Sequence, residues 1–217
     1  KQIAKMSFLL PSIEVQKKIG IFFTNFDEMI ALHQQELEAL KQTKKGFLQK
    51  MFPSEGNVVP DTRFRNFNQD WKAYKLSDLG ELFTGLSGLS KNDFSNGEHK
   101  YVTYMNVFSN TIININDLSA VDLTKKPKQN GLRKGDLLFT PSSETPQEVG
   151  MASYFGHNID HVYLNSFCFG FRTNISKADG LFLAYFMRSN VVRNRLNKLA
   201  QGSTRYNLSK TEFIKMT

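Results

Sequence analysis

An unbroken heptad pattern in the first quarter of the chain most restricts the fold. Residues suited to helix pairing recur at alternating spacings of four and three, and we call these ten positions the seam: Ile19, Phe23, Phe26, Ile30, His33, Leu37, Leu40, Lys44, Phe47 and Met51. This alternation predicts an α-helix with one side shaped for a coiled coil. At 1.5 Å of rise per residue, that side would extend roughly 50 Å.

Residues at both ends of the pattern favour a helix over 13–52. Ser12 can cap the first turn, and Glu14 lies near the positive end of the helix dipole. Proline cannot continue a helix, so Pro53 ends it. Gly20 weakens the first turns, which leaves a later start or a break open.

Two polar seam positions bear on the choice of partner. A polar side chain at such a position, here His33 or Lys44, costs stability and can fix the register. The alternative for Lys44 is that its side chain reaches outward into solvent. No second seam of this length occurs in the chain. We therefore expect the helix to pair with a second copy or with a segment outside this sequence; packing on its own globular domain is the alternative.

The pattern changes after a polar, turn-rich linker at 53–70. From Trp71, short apolar stretches alternate with turn residues, which predicts many short strands. Phe167, Phe169 and Phe171 alternate with small residues, so a strand would place three rings on one face.

Turns and helices complete the prediction for this region. Asn130-Gly131 and Ser95-Asn96-Gly97 are typical of turns. Helical spacing returns in two stretches separated near Ser189, and Ser209 can cap a last short helix. The expected fold class is α+β: a β-rich globular domain with C-terminal helices, plus a long N-terminal coiled-coil helix.

The net charge of +8 is unevenly distributed. Residues 1–52 carry a net +3 and residues 53–180 a net −1, whereas residues 181–217 carry a net +6. A local basic excess suggests a polyanionic partner. A solvated basic face is the plain alternative.

The basic region offers side chains for both phosphates and bases. Arg193 and Lys198 could meet phosphates from one side of a helix, which gives salt-dependent affinity without sequence choice. Glutamine and asparagine can pair with adenine, and arginine with guanine, in the major groove. Gly202 allows close approach of the backbone. The candidates for DNA contact here are Arg193, Arg195, Lys198, Gln201, Ser203, Thr204, Arg205, Tyr206, Asn207 and Lys210.

A second polar loop at 85–98 adds Lys91 and Asn92 to these candidates. Two polar loops on a β scaffold suit a reader of duplex DNA. Such loops are also ordinary solvated connections between strands.

The sequence lacks familiar catalytic motifs. It contains neither a phosphate-binding Gly-x-x-x-x-Gly-Lys loop nor Gly-x-Gly-x-x-Gly, and it lacks the Asn/Asp-Pro-Pro-Phe/Tyr tetrapeptide of adenine methyltransferases. The single cysteine, Cys168, lies in a predicted buried strand and is interpreted as a small hydrophobic residue. No apolar run reaches the roughly 18 residues of a membrane span.

Two pairs of polar residues deserve a chemical test. His157 and His161 could hold zinc on a helix, but the strand pattern predicts a turn there, so we expect no metal site. Glu144 and Glu148 could act as acid and base, although their polar neighbours favour an ordinary loop.

Several segments have counterparts in one protein family. LPSIEVQKKIGIFFTNFDEMIALHQQELEALKQTKKGFLQKMF resembles a spacer helix, and its Lys44-Lys45-Gly46 end is among the most specific parts. WKAYKLSDLGELFTG resembles the opening of a recognition domain, and KGDLLFT, SSETPQEVG and GSTRYNLSKTEF resemble its later segments. The family is that of the DNA specificity subunits of type I restriction-modification systems, and the resemblance covers nearly the whole chain.

The resemblance implies a division of the chain. Residues 1–12 would be the tail of a preceding recognition domain, 13–52 the coiled-coil spacer helix, 53–70 a linker and 71–217 a target recognition domain. Such subunits contain two half-units in tandem. This explains why FIKMT at the C-terminus echoes IAKMS at positions 3–7: the chain would be one repeat cut at equivalent points.

The resemblance also implies a function without catalysis. The domain would read one half of a split double-stranded DNA site, and two antiparallel helices would set the gap between the halves. Methyltransferase subunits and a restriction/motor subunit would modify adenine and cut DNA, using S-adenosylmethionine, ATP and magnesium, so this chain needs no cofactor. It would work in the bacterial cytoplasm and could self-associate through its helix. The alternative is a coiled-coil adaptor module that binds protein and not DNA.

Overall fold

The computed structural model describes residues 7–94, 97–126 and 128–217. The chain divides into two compact units, one ending at Phe47 and the other beginning at Leu48. The mixture of a long N-terminal helix with a sheet-rich domain confirms the predicted α+β class.

The long helix, α1, spans Ile13–Lys50. The hydroxyl of Ser12 accepts a hydrogen bond from the backbone N–H of Val15 at 3.5 Å, as the predicted cap requires. The helix continues through Gly20 without a break. It ends two residues earlier than predicted, so Met51 lies just beyond it and the seam within α1 stops at Phe47.

The second unit consists of short elements. Within its described residues it contains ten strands, five further α-helices and two 3-10 turns. The strands are β1 (Gly80–Thr84), β2 (His99–Val102), β3 (Leu118–Val121), β4 (Leu137–Phe139), β5 (Ser142–Ser143), β6 (Ala152–Tyr154), β7 (Val162–Leu164), β8 (Phe169–Thr173), β9 (Ala200–Gln201) and β10 (Tyr206–Leu208). The helices are α2 (Leu76–Leu79), α3 (Tyr104–Ser109), α4 (Gly180–Met187), α5 (Asn190–Leu199) and α6 (Lys210–Phe213), and the 3-10 turns are Lys91–Phe94 and Pro146–Glu148.

The strands form three small sheets. The largest has the order β1-β8-β4-β6 and is antiparallel throughout. The second, β3-β2-β7, combines an antiparallel pair with the parallel pair β2–β7. The third, β5-β10-β9, is antiparallel and carries the loops described below.

The four-stranded sheet separates two apolar clusters. Leu137 and Phe139 of β4 face the cluster that includes α4 and α5, whereas Leu138 faces the cluster that includes β2 and β7. A strand buried on both faces reads as a continuous apolar run, which is the pattern of KGDLLFT. On the first face, the rings of Phe139 and Phe169 stack at 5.3 Å, and Phe213 meets both edge-on.

Two details of the predicted strands and turns are wrong. Phe167 lies in a turn before β8 and is 72% exposed, so only Phe169 and Phe171 share the buried face. Gly131 forms an antiparallel bridge with Tyr163 rather than a turn, and the turn falls at Lys134-Gly135. The turn predicted at Ser95-Asn96-Gly97 lies largely outside the described residues.

The C-terminal helices agree with the sequence. Ser189 separates α4 from α5, and its hydroxyl donates to the carbonyl of Phe186 at 2.6 Å. The hydroxyl of Ser209 accepts from the N–H of Glu212 at the start of α6, which confirms the predicted cap. Beyond α6, the carbonyl of Met216 accepts from the N–H of Leu76 at 2.9 Å, so the chain end docks on α2. Of the matching segment at 3–7, residues 3–6 lie outside the described residues.

Residues 53–70 contain turns and bends but no helix or strand. Two backbone hydrogen bonds hold the segment: Thr62 donates its N–H to the carbonyl of Lys50, and Trp71 donates to that of Val58. At its start, the buried Phe52 ring lies 5.4 Å from the ring of Phe186.

Candidate nucleic-acid interface

The sheet β5-β10-β9 brings two distant polar loops together. Residues 202–205 form the tip of the β9–β10 hairpin, and the loop after β5 continues through residues 144–148. β10 pairs with β5 so that Tyr206 lies opposite Ser143 and Asn207 opposite Ser142. The hairpin was a predicted candidate, whereas the 144–148 loop was expected to be an ordinary connection. No local signal in the sequence pairs segments that lie about 60 residues apart.

Gly202 gives the hairpin its shape. Its φ of +134° lies in the region that favours glycine, and a Cβ there would lie 2.2 Å from the carbonyl oxygen of Arg205. The hairpin itself therefore requires this glycine, whatever approaches from outside.

A cleft of about 410 Å³ opens between the two loops and α3, and we call it the Arg205 pocket. One wall is apolar and the other is polar. The apolar wall is formed by Tyr104, Met105 and Phe108, and the polar wall by Ser143, Glu144, Glu148, Thr204 and Arg205.

Hydrogen bonds to Ser142 fix the two walls. The hydroxyl of Tyr104 donates to the Ser142 carbonyl at 2.6 Å, and Nε of Arg205 donates to the Ser142 hydroxyl at 3.2 Å. Burial raises the pKa of the Tyr104 phenol, so it remains a donor at neutral pH. The Tyr104 ring also stacks on that of Phe108, with centroids 6.0 Å apart. Both walls of the pocket are thus held in place by contacts within the chain.

Glu148 is held within the polar wall. Its carboxylate accepts from the Ser143 hydroxyl at 3.0 Å and from the Thr145 hydroxyl at 2.7 Å. Glu144, by contrast, is exposed. The two carboxylates therefore have different environments in the same pocket.

Arg193 has a different position from the one expected of a phosphate contact. Its guanidinium donates to the carbonyls of Gln147, Val149 and Gly150 at 2.6, 2.5 and 2.9 Å. Burial lowers its pKa to about 10, which still leaves it charged at neutral pH. Because its donors are taken by backbone carbonyls, Arg193 braces the loop that carries Glu148.

The other candidates of the basic region are more open to solvent. Gln201, Ser203, Thr204, Arg205 and Asn207 are exposed, and Tyr206 is half-buried. The Asn207 amide donates to the Arg205 carbonyl at 3.2 Å, across the hairpin.

Three basic candidates make contacts within the chain. Arg195 donates to the carbonyl of Thr217. Lys198 forms an exposed ion pair with Glu55 at 3.5 Å, and the Lys210 ammonium lies 5.5 Å above the Phe169 ring. Exposed ion pairs of this kind are weak, so Lys198 remains able to exchange its partner for a phosphate.

Lys91 and Asn92 lie on a second loop, beside β3. The loop is shaped by Asp93, whose carboxylate accepts from the N–H and hydroxyl of Ser90, both at 2.7 Å, and from Lys125 at 3.3 Å. Hydrogen bonding from Ser90 lowers the Asp93 pKa.

Lysines that the sequence analysis missed join this second loop. The Gln129 amide exchanges two hydrogen bonds with the backbone of Ser87, both at 3.1 Å, and the Lys126 side chain lies against Gly88. Lys125 and Lys126 are thereby brought against the loop that carries Lys91. The packing of residues 122–126 and 128–130 onto the 85–94 loop places them there.

The histidines do not form the zinc pair considered from the sequence. The ring of His161 faces His99 at 5.3 Å, and the ring of His157 lies against Phe155 at 6.0 Å. No cluster of three or more His, Cys, Asp or Glu side chains suited to a metal occurs among residues 7–94, 97–126 and 128–217. Cys168 is buried as predicted, and burial raises its thiol pKa to about 12. In the same ranges, no helix is both long and apolar enough to cross a membrane.

The apolar seam side chains of α1 are exposed. No residue of α1 is buried, and Phe23, Ile30 and Leu37 are 60, 55 and 53% exposed. Phe22, which lies beside the seam, packs edge-on against Phe26 at 4.9 Å and widens the apolar side.

Comparison with known proteins identifies relatives of the chain. Residues 68–217 match the family model described as the type I restriction modification DNA specificity domain. The MjaVIII type I restriction enzyme specificity subunit of Methanocaldococcus jannaschii is 24% identical over 207 residues, which cover 89% of this chain and 46% of the relative. The putative MjaX specificity subunit of the same organism is 26% identical over 80 residues, covering 36% of this chain and 19% of the relative. The chain thus spans about half the length, or less, of these curated relatives.

Solved structures share the fold. The HsdS subunit from Thermoanaerobacter tengcongensis aligns with a TM-score of 0.53 at 15% identity, covering 96% of this chain and 46% of that one. A chain from a structure on complex assembly and conformational transition of the type I R-M system aligns with a TM-score of 0.55 at 14% identity, covering 96% and 47%. At such identities the likeness concerns the fold alone.

Proposed function

This chain belongs to the type I restriction-modification DNA specificity family, and we propose that it selects a double-stranded DNA sequence on behalf of partner subunits. The observation that carries the proposal is the exposed β9–β10 hairpin, which presents Gln201, Thr204 and Arg205 beside the 144–148 loop. Amides, hydroxyls and guanidinium groups are the side chains that read base edges in the major groove.

The charge of the chain supports a polyanionic partner. The last 37 residues carry a net +6, and Lys91, Lys125 and Lys126 add a second basic loop beside β3. Contacts from such side chains to phosphates fix the position of a protein on DNA without selecting a sequence. Base readout by the hairpin would supply the selection.

The proposed role is recognition without chemistry. Adenine methylation and DNA cleavage would be carried out by methyltransferase subunits and a restriction/motor subunit. S-adenosylmethionine, ATP and magnesium would be bound by those partners, and the complex would act in the cytoplasm.

The long helix would set the distance between half-sites. The exposed seam of α1 suits antiparallel pairing with a matching helix, in a second copy or in a further segment of polypeptide. Because helices are rigid over this length, a fixed pairing would fix the gap between two recognised sequences.

A selection from random duplex DNA tests the proposal. The chain, together with an adenine methyltransferase subunit of the same system, is incubated with the DNA at moderate salt, and the retained DNA is sequenced. We expect enrichment of one short motif, alone or as an inverted pair at fixed spacing. Retention without a motif would reduce the function to phosphate binding. Absence of retention at any salt concentration would favour the alternative of a coiled-coil adaptor module.

A further inference from the structure

The Arg205 pocket combines a cation whose two Nη groups, and an acid whose carboxylate, make no hydrogen bond or ion pair with the described residues. Nε of Arg205 is held by the buried Ser142 hydroxyl, and neither Nη group makes a hydrogen bond to any described residue. The hydrogen bond at Nε fixes the guanidinium, so its two remaining amino groups form a fork with a set direction. Such a fork matches the O6 and N7 acceptors of guanine, which both face the major groove.

Glu144 supplies the opposite chemistry. It lies in the same pocket, is exposed, and makes no hydrogen bond or ion pair with the described part of the chain, Arg205 included. An ionised carboxylate only accepts hydrogen bonds and gains nothing from a phosphate. In the major groove, the donors that it can meet are the amino groups of cytosine and adenine.

Glu148 does not compete for this role. Its carboxylate already accepts from the hydroxyls of Ser143 and Thr145. Arg193 holds the carbonyls on either side of it. Glu148 therefore stiffens the wall from which Glu144 projects.

We propose that the Arg205 pocket reads a single G·C base pair, with Arg205 on guanine O6 and N7 and Glu144 on the cytosine N4 amino group. Guanine O6 and cytosine N4 are hydrogen-bonded neighbours within one pair, so an adjacent cation and acceptor meet both bases at once. This assignment rests on the proposed function and adds to it the identity of one position in the recognised sequence.

The test begins with the motif that the unaltered chain selects. Affinities are then measured on duplexes that carry 7-deazaguanine or N4-methylcytosine at one G·C position at a time. The first base lacks the N7 acceptor, and the second has a substituted amino group. At the position that the pocket reads, each replacement weakens binding of the unaltered chain roughly five- to a hundred-fold.

Variants connect each base to its side chain. Arg205→Ala binds normal and 7-deazaguanine DNA equally, and Glu144→Ala binds normal and N4-methylcytosine DNA equally. Each variant stays sensitive to the replacement that the other one ignores. Arg63→Ala and Asp70→Asn are matched controls, because both side chains are exposed and lie outside the pocket. These controls keep the full sensitivity to both replacements.

Failure of this inference differs from failure of the proposed function. If the unaltered chain selects a motif that lacks G·C, or if both pocket variants keep its full base discrimination, the pocket does not read the pair. If the chain selects no motif at all, recognition itself fails and this assignment with it. Because both side chains are exposed, the variants retain the fold, and their melting temperatures confirm this before binding is measured.

Discussion

The buried Asp136 and the half-buried Arg172 form an ion pair with two parallel hydrogen bonds. Nε of Arg172 donates to Oδ1 at 2.9 Å and Nη2 donates to Oδ2 at 2.8 Å. The Arg172 guanidinium also donates to the Gly131 carbonyl and lies 4.8 Å from the Phe83 ring centroid. Hydrogen bonding to Asp136 raises the pKa of Arg172. The pair therefore joins the start of β4 to β8 at the centre of the largest sheet.

Removing one partner of this pair should be costly. We expect Asp136→Ala to lower the free energy of unfolding by roughly 3 kcal/mol, because it leaves a guanidinium half-buried without its counter-ion. Urea denaturation measures the loss. Asp61→Ala, at an exposed carboxylate, is the matched control and should change stability by less than about 0.5 kcal/mol. Equal effects of the two substitutions would contradict a structural role for the pair.

Arg193→Ala should lower the free energy of unfolding without removing a phosphate contact. Three carbonyls of the 147–150 loop lose a charged donor, so we expect a loss of roughly 3 kcal/mol in unfolding free energy. The slope of log K against log salt for DNA binding should stay unchanged, because each phosphate contact contributes about 0.9 to it. A slope reduced by about one unit would show that Arg193 does reach a phosphate. Arg193→Lys, which keeps the charge but not the planar fork, separates charge from geometry.

The Cys168 thiol should be inert in the folded chain. With its pKa raised to about 12 by burial, it carries roughly a thousandfold less thiolate near pH 8 than an ordinary cysteine of pKa 9.0. An aromatic disulfide reagent should therefore label Cys168 only after denaturant is added. Labelling of the native chain at the rate of the unfolded one would contradict the buried position.

The raised pKa of Cys168 also determines how its contribution to stability changes with pH. A raised folded-state pKa contributes stability that is complete below the unfolded value near 9 and is lost as pH rises towards about 12. Other groups titrate in this range, so the comparison is with Cys168→Ala. The stability difference between the two chains should change between pH 9 and pH 12 in favour of the variant.

The sequence predicted individual elements better than it predicted which elements contact each other. Local features depend on residues within a few positions of each other. The structure contains the long helix that the heptad pattern predicts, the caps at Ser12 and Ser209, and the interruption at Ser189. The Arg205 pocket depends on a pairing between β5 and β10, which no local periodicity encodes. This explains why the sequence made the hairpin a candidate for DNA contact but suggested Glu144 only as a possible acid or base.

The structure differs from what the local sequence suggests where tertiary contacts intervene. Phe167 continues the alternation of β8, yet the N–H of residue 167 is taken by the Asn165 side chain, and the chain turns there. Arg193 has the spacing of a surface cation, but three backbone carbonyls approach it from the neighbouring loop. A charged residue on a helix can thus donate hydrogen bonds within the protein when the carbonyls of an adjacent loop have no donors of their own.

The last prediction concerns pairing through α1. The seam residue Ile30 is 55% exposed, and Leu32, two residues further along, is 64% exposed on nearly the opposite side of the helix. If the seam pairs, a charge at Ile30 must be buried against an apolar partner, whereas a charge at Leu32 stays in water. We expect the chain to dimerise at micromolar concentration in sedimentation equilibrium, Ile30→Asp to raise the dissociation constant at least about tenfold, and Leu32→Asp to leave it unchanged. Replacing the polar seam residue by an apolar one, His33→Leu, should strengthen pairing and relax its register, because a polar group in the seam costs stability while it restricts the number of alternative registers.

Equal weakening by Ile30→Asp and Leu32→Asp would mean that general apolar exposure, and not the seam, drives association. A chain that stays monomeric at all concentrations would show that the seam does not pair with its own copy.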